Sequence, residues 1–371
     1  MSQWPYHSEN EIAAVAEVLR SGKTNYWVGE HGQAFESEFA AYTGAQHALT
    51  VSNGTTALEV AIHALGISYG EVILPCRTFM ATASAVVMNG LTPVLADIDE
   101  TTLNVTVDTL EARRTPQTKA VIVVHYAGLP CDIEAICQWA AAHQITVIED
   151  CAHAHGARVG GKHVGTFGAI GCFSFCVGKI MSTGGEGGMV VTRDPALHAR
   201  MAAYRDHGRY QIAGNPMNHT PEFLWTVSEF GSNLRMTEMQ SAIGRIQLKK
   251  LYGWVARRNE IADIYDAILY LAPGVTLIRP PPLTCHARYM YLLLVEKRDE
   301  VLRRVFALGA RLGGCPNIGH EKAFRGHAAP CPVADAIGGY VMSLPIYPTL
   351  TDAEVDAIAF ATLRATVEVN K

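Results

Sequence analysis

The chain has 371 residues, 49% of them hydrophobic and 18% charged, with a formal net charge of −5. That length and apolar content suit about two domains with a sizeable buried core, which excludes a disordered tail or linker. The acidic balance excludes nucleic acid or an anionic membrane surface as the main partner.

Nine cysteines are scattered along the chain and none forms a CxxC pair. Such usage reads as reduced, mostly buried thiols and not as a disulfide framework. The opening MSQWPYHSENE lacks the basic start and apolar run of a signal peptide. The longest apolar runs are strand-sized, short of a membrane span. A soluble, cytoplasmic protein with no membrane partner is expected.

From about residue 50 the pattern alternates. TTALEVAIHALG (55–66) reads as a helix, EVILP (71–75) as a strand, TFMATASAVVMNG (78–90) as a helix and TPVLADID (92–99) as a strand. KAVIVVHYAG (119–128), IEAICQWAAAHQ (133–144) and TVIED (146–150) continue the alternation, and GCFSF (171–175) and GMVVT (188–192) add two strands. Short β-rich runs between helical spacings predict βαβ units around a largely parallel sheet. Thr237 and Gln240 make a capping-box start for a long helix over about 237–270. Beyond it, the strand ARYMYLLLVE (287–296), the helix EVLRRVFALG (300–309) and a final helix capped at Thr351 predict a smaller α+β domain. The expected division is 1–248, an N-terminal arm and large domain, and 249–371, a small C-terminal domain.

Ligands of open α/β sheets gather at the carboxyl ends of the strands, and four features fall there. SNGTT (52–56) precedes a helix, so its backbone N–H groups and the hydroxyls of Thr55 and Thr56 suit either a phosphate or an ordinary Ser/Asn cap. It is not a Walker A loop, and GGEGG lacks the setting of a dinucleotide fingerprint. Phe79 serves as a core aromatic or as a stacking face. Asp150 ends TVIED, where a carboxylate either caps a loop or keeps a pyridine nitrogen protonated. CAHAH (151–155) has metal-ligating residue types at alternate positions, but no second ligand cluster, so no metal is expected. Ser174 either terminates a strand or reaches a phosphate. Lys179, within the apolar FCVGKIM, is the discriminating residue: burial disfavours its ammonium form and yields the free amine that Schiff-base chemistry requires. The surrounding glycines leave room for a bulky group. Lysine, aspartate, aromatic ring and phosphate cradle together specify pyridoxal phosphate.

With those residues assembled, the chain resembles the DegT/StrS family of sugar aminotransferases, pyridoxal-phosphate enzymes of the aspartate-aminotransferase fold (fold type I). The resemblance runs from SGKTNYWVGEHGQAFESEFAAYTGAQHALTVSNGTTAL (21–58) through EDCAHAHGA (149–157) and FSFCVGKIMSTGGEGG (173–188) to GSNLRMTEMQSAIGRIQLKKL (231–251) and SLPIYPTLTDAEV (343–355). It implies that Lys179 carries the cofactor covalently and shuttles the proton. It also implies that Asp150 pairs with the ring nitrogen, Phe79 stacks on the ring, and Thr55, Thr56 and Ser174 hold the phosphate. His153, where the family often has Gln, would bond the phenolic oxygen. Asn233 would reach the phosphate of a neighbouring subunit, which implies a homodimer with shared sites. A minority branch of dehydratases has histidine at the lysine position, so Lys179 favours transamination.

The expected reaction moves an amino group from glutamate through pyridoxamine phosphate to a keto sugar on a nucleoside diphosphate, for polysaccharide or antibiotic aminosugars. The alternatives are a cyclitol ketone acceptor and a non-catalytic cofactor-binding regulator. The polar, aromatic stretch 207–233 is long for a loop. It is expected to shape the sugar-nucleotide pocket or a dimer contact, with Arg205, His207 and Arg209 as candidate phosphate contacts.

Overall fold

The computed structural model describes residues 4–210, 226, 227, 229–324 and 328–371. Helices α1 (Glu9–Ser21) and α2 (His31–Thr43) precede β1 (His47–Val51). The predicted alternation follows: α3 (Gly54–Ala64), β2 (Glu71–Pro75), α4 (Ala81–Met88), β3 (Thr92–Ala96), α5 (Val107–Glu111), β4 (Thr118–Val124), α6 (Ile133–Ala142) and β5 (Thr146–Asp150). A short ribbon, β6 (Arg158–Val159) and β7 (Lys162–His163), leads to β8 (Ile170–Ser174), β9 (Gly188–Thr192) and α7 (Pro195–Arg205).

Seven of these strands form one sheet in the order β1-β9-β8-β5-β4-β2-β3. The pairs β2–β3, β2–β4, β4–β5 and β5–β8 are parallel. β9 runs antiparallel to both β1 and β8, so the sheet is mixed. Both faces are covered, which is why strands such as EVILP read as continuous apolar runs. Their alternation nevertheless sorts side chains: Val72, Leu74, Ala120 and Ile122 enter the core under α3 and α4, whereas Ile73, Val121 and Val123 pack beneath α6 with Ile133 and Ile136.

β10 (Arg209–Tyr210) pairs with β11 (Thr226–Val227). Residues 211–225 and 228, most of the long stretch expected to shape a pocket, lie outside the described residues. Helix α8 (Glu238–Leu269) then runs for 32 residues, roughly 48 Å at the α-helical rise. Thr237 caps it as its sequence predicts: the Thr237 hydroxyl accepts from Gln240 N–H, and the Gln240 side chain accepts from Thr237 N–H. Leu248, Leu251 and Val255 pack with Phe35, Phe39, Phe173 and Phe175, whereas Ile261, Tyr265 and Leu269 belong to a separate C-terminal core. One helix therefore serves two cores and changes between them between Val255 and Ile261.

The remaining elements are β12 (Val275–Leu277), β13 (Thr284–Cys285), β14 (Tyr291–Val295), α9 (Arg298–Val305), β15 (Arg311–Leu312), α10 (Pro332–Ile337), β16 (Val341–Leu344) and α11 (Asp352–Val369). They build an antiparallel sheet, β12-β14-β16-β15, while β13 joins β6 beside the large sheet. The strand expected from residue 287 opens only at Tyr291. Arg288 adopts a left-handed φ of 53° that no strand continues through. Among the described residues no helix is long and apolar enough to cross a membrane.

Glu149, at the end of β5, is fully buried. Its carboxylate accepts from the N–H groups of Gly165, Phe167 and Gly168 at 2.7, 2.8 and 2.7 Å. His125 Nδ1 accepts from Cys131 N–H, so Nε2 carries the proton and donates to Glu149 at 3.0 Å. Glu149→Ala strands all of these donors in the interior. It is expected to lower the unfolding free energy by roughly 3 kcal/mol or more, read from the midpoint of a urea titration.

Candidate active site

The loop between β1 and α3 is built for a helix start. The Asn53 side chain accepts from Thr56 N–H at 2.9 Å, and the Thr56 hydroxyl accepts from Asn53 N–H and donates to Asn53 O. That closes the cap and leaves the N–H groups of Gly54 and Thr55 as unclaimed first-turn donors. Position 54 must be glycine, because a Cβ there would lie 2.6 Å from the Ser174 Cβ. The close approach brings the helix start against the end of β8.

The structure places Thr55, Thr56, Phe79, Asp150, His153, Ser174 and Lys179 along one cavity of about 800 Å³. They come from the carboxyl ends of β1, β2, β5 and β8, which the parallel pairing puts on one edge. Phe79 presents a ring that is 66% exposed. The Thr56 hydroxyl is already spent on the cap, so of this pair Thr55 has the freer hydroxyl. The Asp150 carboxylate accepts from Ala152 N–H and the Thr82 hydroxyl, both at 3.1 Å. Burial pushes its proton affinity up, against the opposing effects of the Ala152 N–H and the Lys179 charge.

Lys179 follows β8 in the turn Cys176–Lys179, with its own N–H donating to Cys176 O at 3.0 Å. Its amine stands 4.8 Å from the ring centre of Tyr289. Burial holds its ammonium below the ordinary lysine value, with Asp150 the largest opposing charge. Gly178 has open space at its α-carbon and is required by a φ of +89°, whereas a Cβ on Gly188 would lie 2.4 Å from Asn53 O. Turn geometry therefore requires glycine at 178 and backbone packing requires it at 188.

CAHAH is not a strand but a series of turns, so Cys151, His153 and His155 do not share a face. His153 stacks on Tyr289 at 4.2 Å between ring centres, and its buried Nδ1 has no partner. Burial, and then the Lys179 charge, push its proton affinity well down, so the ring is neutral. The sequence reading missed Tyr289, Thr82 and Cys315, which line the same cavity. Tyr289 lies more than 100 positions from Lys179 in a stretch that reads as strand, and nothing local marks it.

Arg205, His207, Arg209 and Asn233 do not line this cavity. Arg205 is buried: its Nη1 donates to Glu36 at 2.8 Å and to Thr50 O at 3.0 Å, and its guanidinium packs over the Tyr26 ring. A guanidinium enclosed in this way is a structural ion pair, which corrects its expected role as a phosphate contact. His207 is exposed at a φ of 61°, and Arg209 lies 3.6 Å from Asp206. Asn233 is exposed and bridges Asp206 through the backbone.

Pyridoxal phosphate fits these residues. An unpartnered His153 nitrogen, a buried carboxylate, a deep amine and the unclaimed N–H groups of the α3 first turn all face one cavity.

Two outcomes follow. Arg205→Met is expected to cost roughly 3 kcal/mol in urea unfolding and leave the acceptor KM of the folded enzyme unchanged; a raised KM at unaltered stability restores the phosphate role. Because the unfolded chain keeps the Lys179 proton at pH values where the folded chain has released it, cofactor-free protein gains stability as pH rises toward 10.5. Lys179→Met should raise the neutral-pH Tm and flatten that gain, measured by thermal unfolding between pH 7 and 10.

The family model for the DegT/DnrJ/EryC1/StrS aminotransferase family matches residues 5–362. Over 352 residues the chain is 37% identical to the UDP-N-acetyl-3-dehydro-alpha-D-glucosamine 3-aminotransferase of Acidithiobacillus ferrooxidans, covering 94% of this chain and 91% of that relative. The solved aminotransferase from Psychrobacter cryohalolentis superposes with a TM-score of 0.95 at 39% identity, over 100% of both chains. DesV of S. venezuelae, solved in complex with a ketimine intermediate, superposes with a TM-score of 0.88 at 34% identity over 96% and 94%. The chain thus belongs to the DegT/DnrJ/EryC1/StrS aminotransferase family and is a pyridoxal-phosphate-dependent aminotransferase.

Proposed function

We propose that this enzyme transfers an amino group from glutamate to a keto sugar carried on a nucleoside diphosphate, in the synthesis of an aminosugar. The observation that carries the reading is Lys179: one amine, held toward its free form by burial, in a cavity that also contains the Asp150 carboxylate and the open end of α3. The Acidithiobacillus relative's name supports the sugar-nucleotide acceptor.

Bound pyridoxal phosphate supplies an aldehyde that condenses with amines and a ring that withdraws electrons from the bond being broken. The Gly54 and Thr55 N–H groups, at the positive end of α3, would hold its phosphate with the Ser174 hydroxyl. Asp150, excluded from water, would keep the ring nitrogen protonated. Phe79 would stack on the ring, and the His153 nitrogen without a partner would bond the phenolic oxygen. The Lys179 amine accepts the proton from the donor's α-carbon and returns it one position away, and the same amine serves the reverse transfer to the acceptor. Tyr289, over that amine, restricts water around it. We also propose that Asn233 reaches the phosphate in a partner subunit, which makes the working form a homodimer, and that the enzyme works in the cytoplasm.

The test is absorbance of the purified holoenzyme before and after glutamate, with borohydride trapping and peptide mapping. A band that shifts with glutamate and an adduct on Lys179 are expected, and Lys179→Ala should abolish turnover while the fold survives. Comparable turnover by Lys179→Ala would remove the mechanism. Conversion of free cyclitol ketones but no sugar nucleotide would remove the acceptor.

A further inference from the structure

A second cavity, of about 440 Å³, adjoins the first: Tyr289, Met290 and Cys315 line both. Its wall contains Arg258, which is 2% exposed. Arg258 Nη1 donates to the carbonyls of Arg288 and Ile346, and its Nε has no partner among the described residues. The guanidinium carbon lies 5.3 Å from the ring centre of Trp4, whose indole N–H donates to Lys179 O at 3.3 Å.

Carbonyl oxygens satisfy donors without cancelling a charge. Arg205, as deeply buried, has Glu36 beside it. Arg258 has no such carboxylate among the described residues: burial draws its proton affinity down to about 9, and only Tyr289 opposes that. It nonetheless stays protonated at neutral pH. A buried cation without a counter-ion is one of the most costly arrangements a fold retains. Here the missing anion has a place to sit, since the cavity also offers Ser343 and Tyr347.

We propose that this cavity is an anion subsite, and that Arg258 holds there the distal carboxylate of a dicarboxylic amino donor. The proposal rests on the aminotransferase function above. A planar guanidinium with an unclaimed edge matches a carboxylate or a phosphate. Besides Ser343, Tyr347 and the exposed Arg311, whose guanidinium donates to Phe306 O and Ala310 O, the wall is apolar, with Trp4, Met290, Leu344 and Ile346, so Arg258 is the buried charge there and matches one carboxylate better than a diphosphate. Arg258 does not line the Lys179 cavity itself. Gly178 on the wall of this second cavity is the chain neighbour of Lys179, so the subsite adjoins the place where a donor's amine would sit.

The experiment compares glutamate with glutamine in the first half-reaction of the holoenzyme, followed by cofactor absorbance, in wild type, Arg258→Lys and Arg258→Gln. Wild type should favour glutamate by about 10-fold or more in kcat/KM, because glutamine cannot satisfy a buried charge. Arg258→Gln should bring that ratio near unity through the glutamate KM, with the acceptor KM unchanged. Glutarate should raise the Tm of wild-type holoenzyme and not that of Arg258→Gln. A purely structural arginine would depress both donors equally and leave the ratio intact, which overturns the proposal. A raised acceptor KM with an intact donor ratio assigns the anion to the acceptor's phosphate and also overturns it. If Arg258→Gln does not fold, Arg258→Lys and the wild type decide: no preference for glutamate and no stabilisation by glutarate sinks the subsite. If no donor transfers an amine, the proposed function fails, and glutarate stabilisation still reads the subsite separately.

Discussion

Two adjacent buried carboxylates at the end of β5 set the conditions for everything around them. Strand alternation sends Glu149 and Asp150 to opposite faces of the sheet. Glu149 is fully bonded by three backbone N–H groups and His125, and it locks the 165–168 turn behind the sheet. Among the described residues Asp150 receives the Ala152 N–H and the Thr82 hydroxyl, and it faces the amine of Lys179 across the cavity. One carboxylate has its hydrogen-bonding capacity consumed by the fold. Its neighbour retains enough to act on a ligand.

The same contrast separates the arginines. Arg205 and Arg258 are both deeply buried and each leaves its Nε unpartnered among the described residues, yet one has Glu36 as counter-ion while the other has carbonyls and borders a cavity. Burial alone therefore says nothing about function. What matters is whether the desolvated charge has already found its partner within the chain. Glu238 illustrates the structural outcome: its buried carboxylate accepts from the N–H groups of His31 and Gly32 at the start of α2, which pins that helix to α8.

The cavity depends on α3 beginning where it does. The Asn53–Thr56 cap uses the loop's own side chains, which frees the preceding N–H groups to face the cavity. Gly54 then lets the helix start approach Ser174 more closely than any side chain would permit. α8 ties this arrangement to the C-terminal half, because its buried face packs first under the large sheet and then into the second core.

The sequence by itself determined the strand and helix order, the capping box at Thr237 and the cap at Thr351, and the residues Thr55, Asp150, Ser174 and Lys179 at or just beyond strand ends. These are local properties, set by periodicity, caps and which residue stands at the end of an apolar run. Only the tertiary structure decided that Arg205 is an internal ion pair and that CAHAH turns. It alone decided that Tyr289 comes to lie over an amine 110 positions earlier in the chain. The physical reason is that a charge or an aromatic ring acquires its role from the partners folded around it, and those partners are distant in sequence.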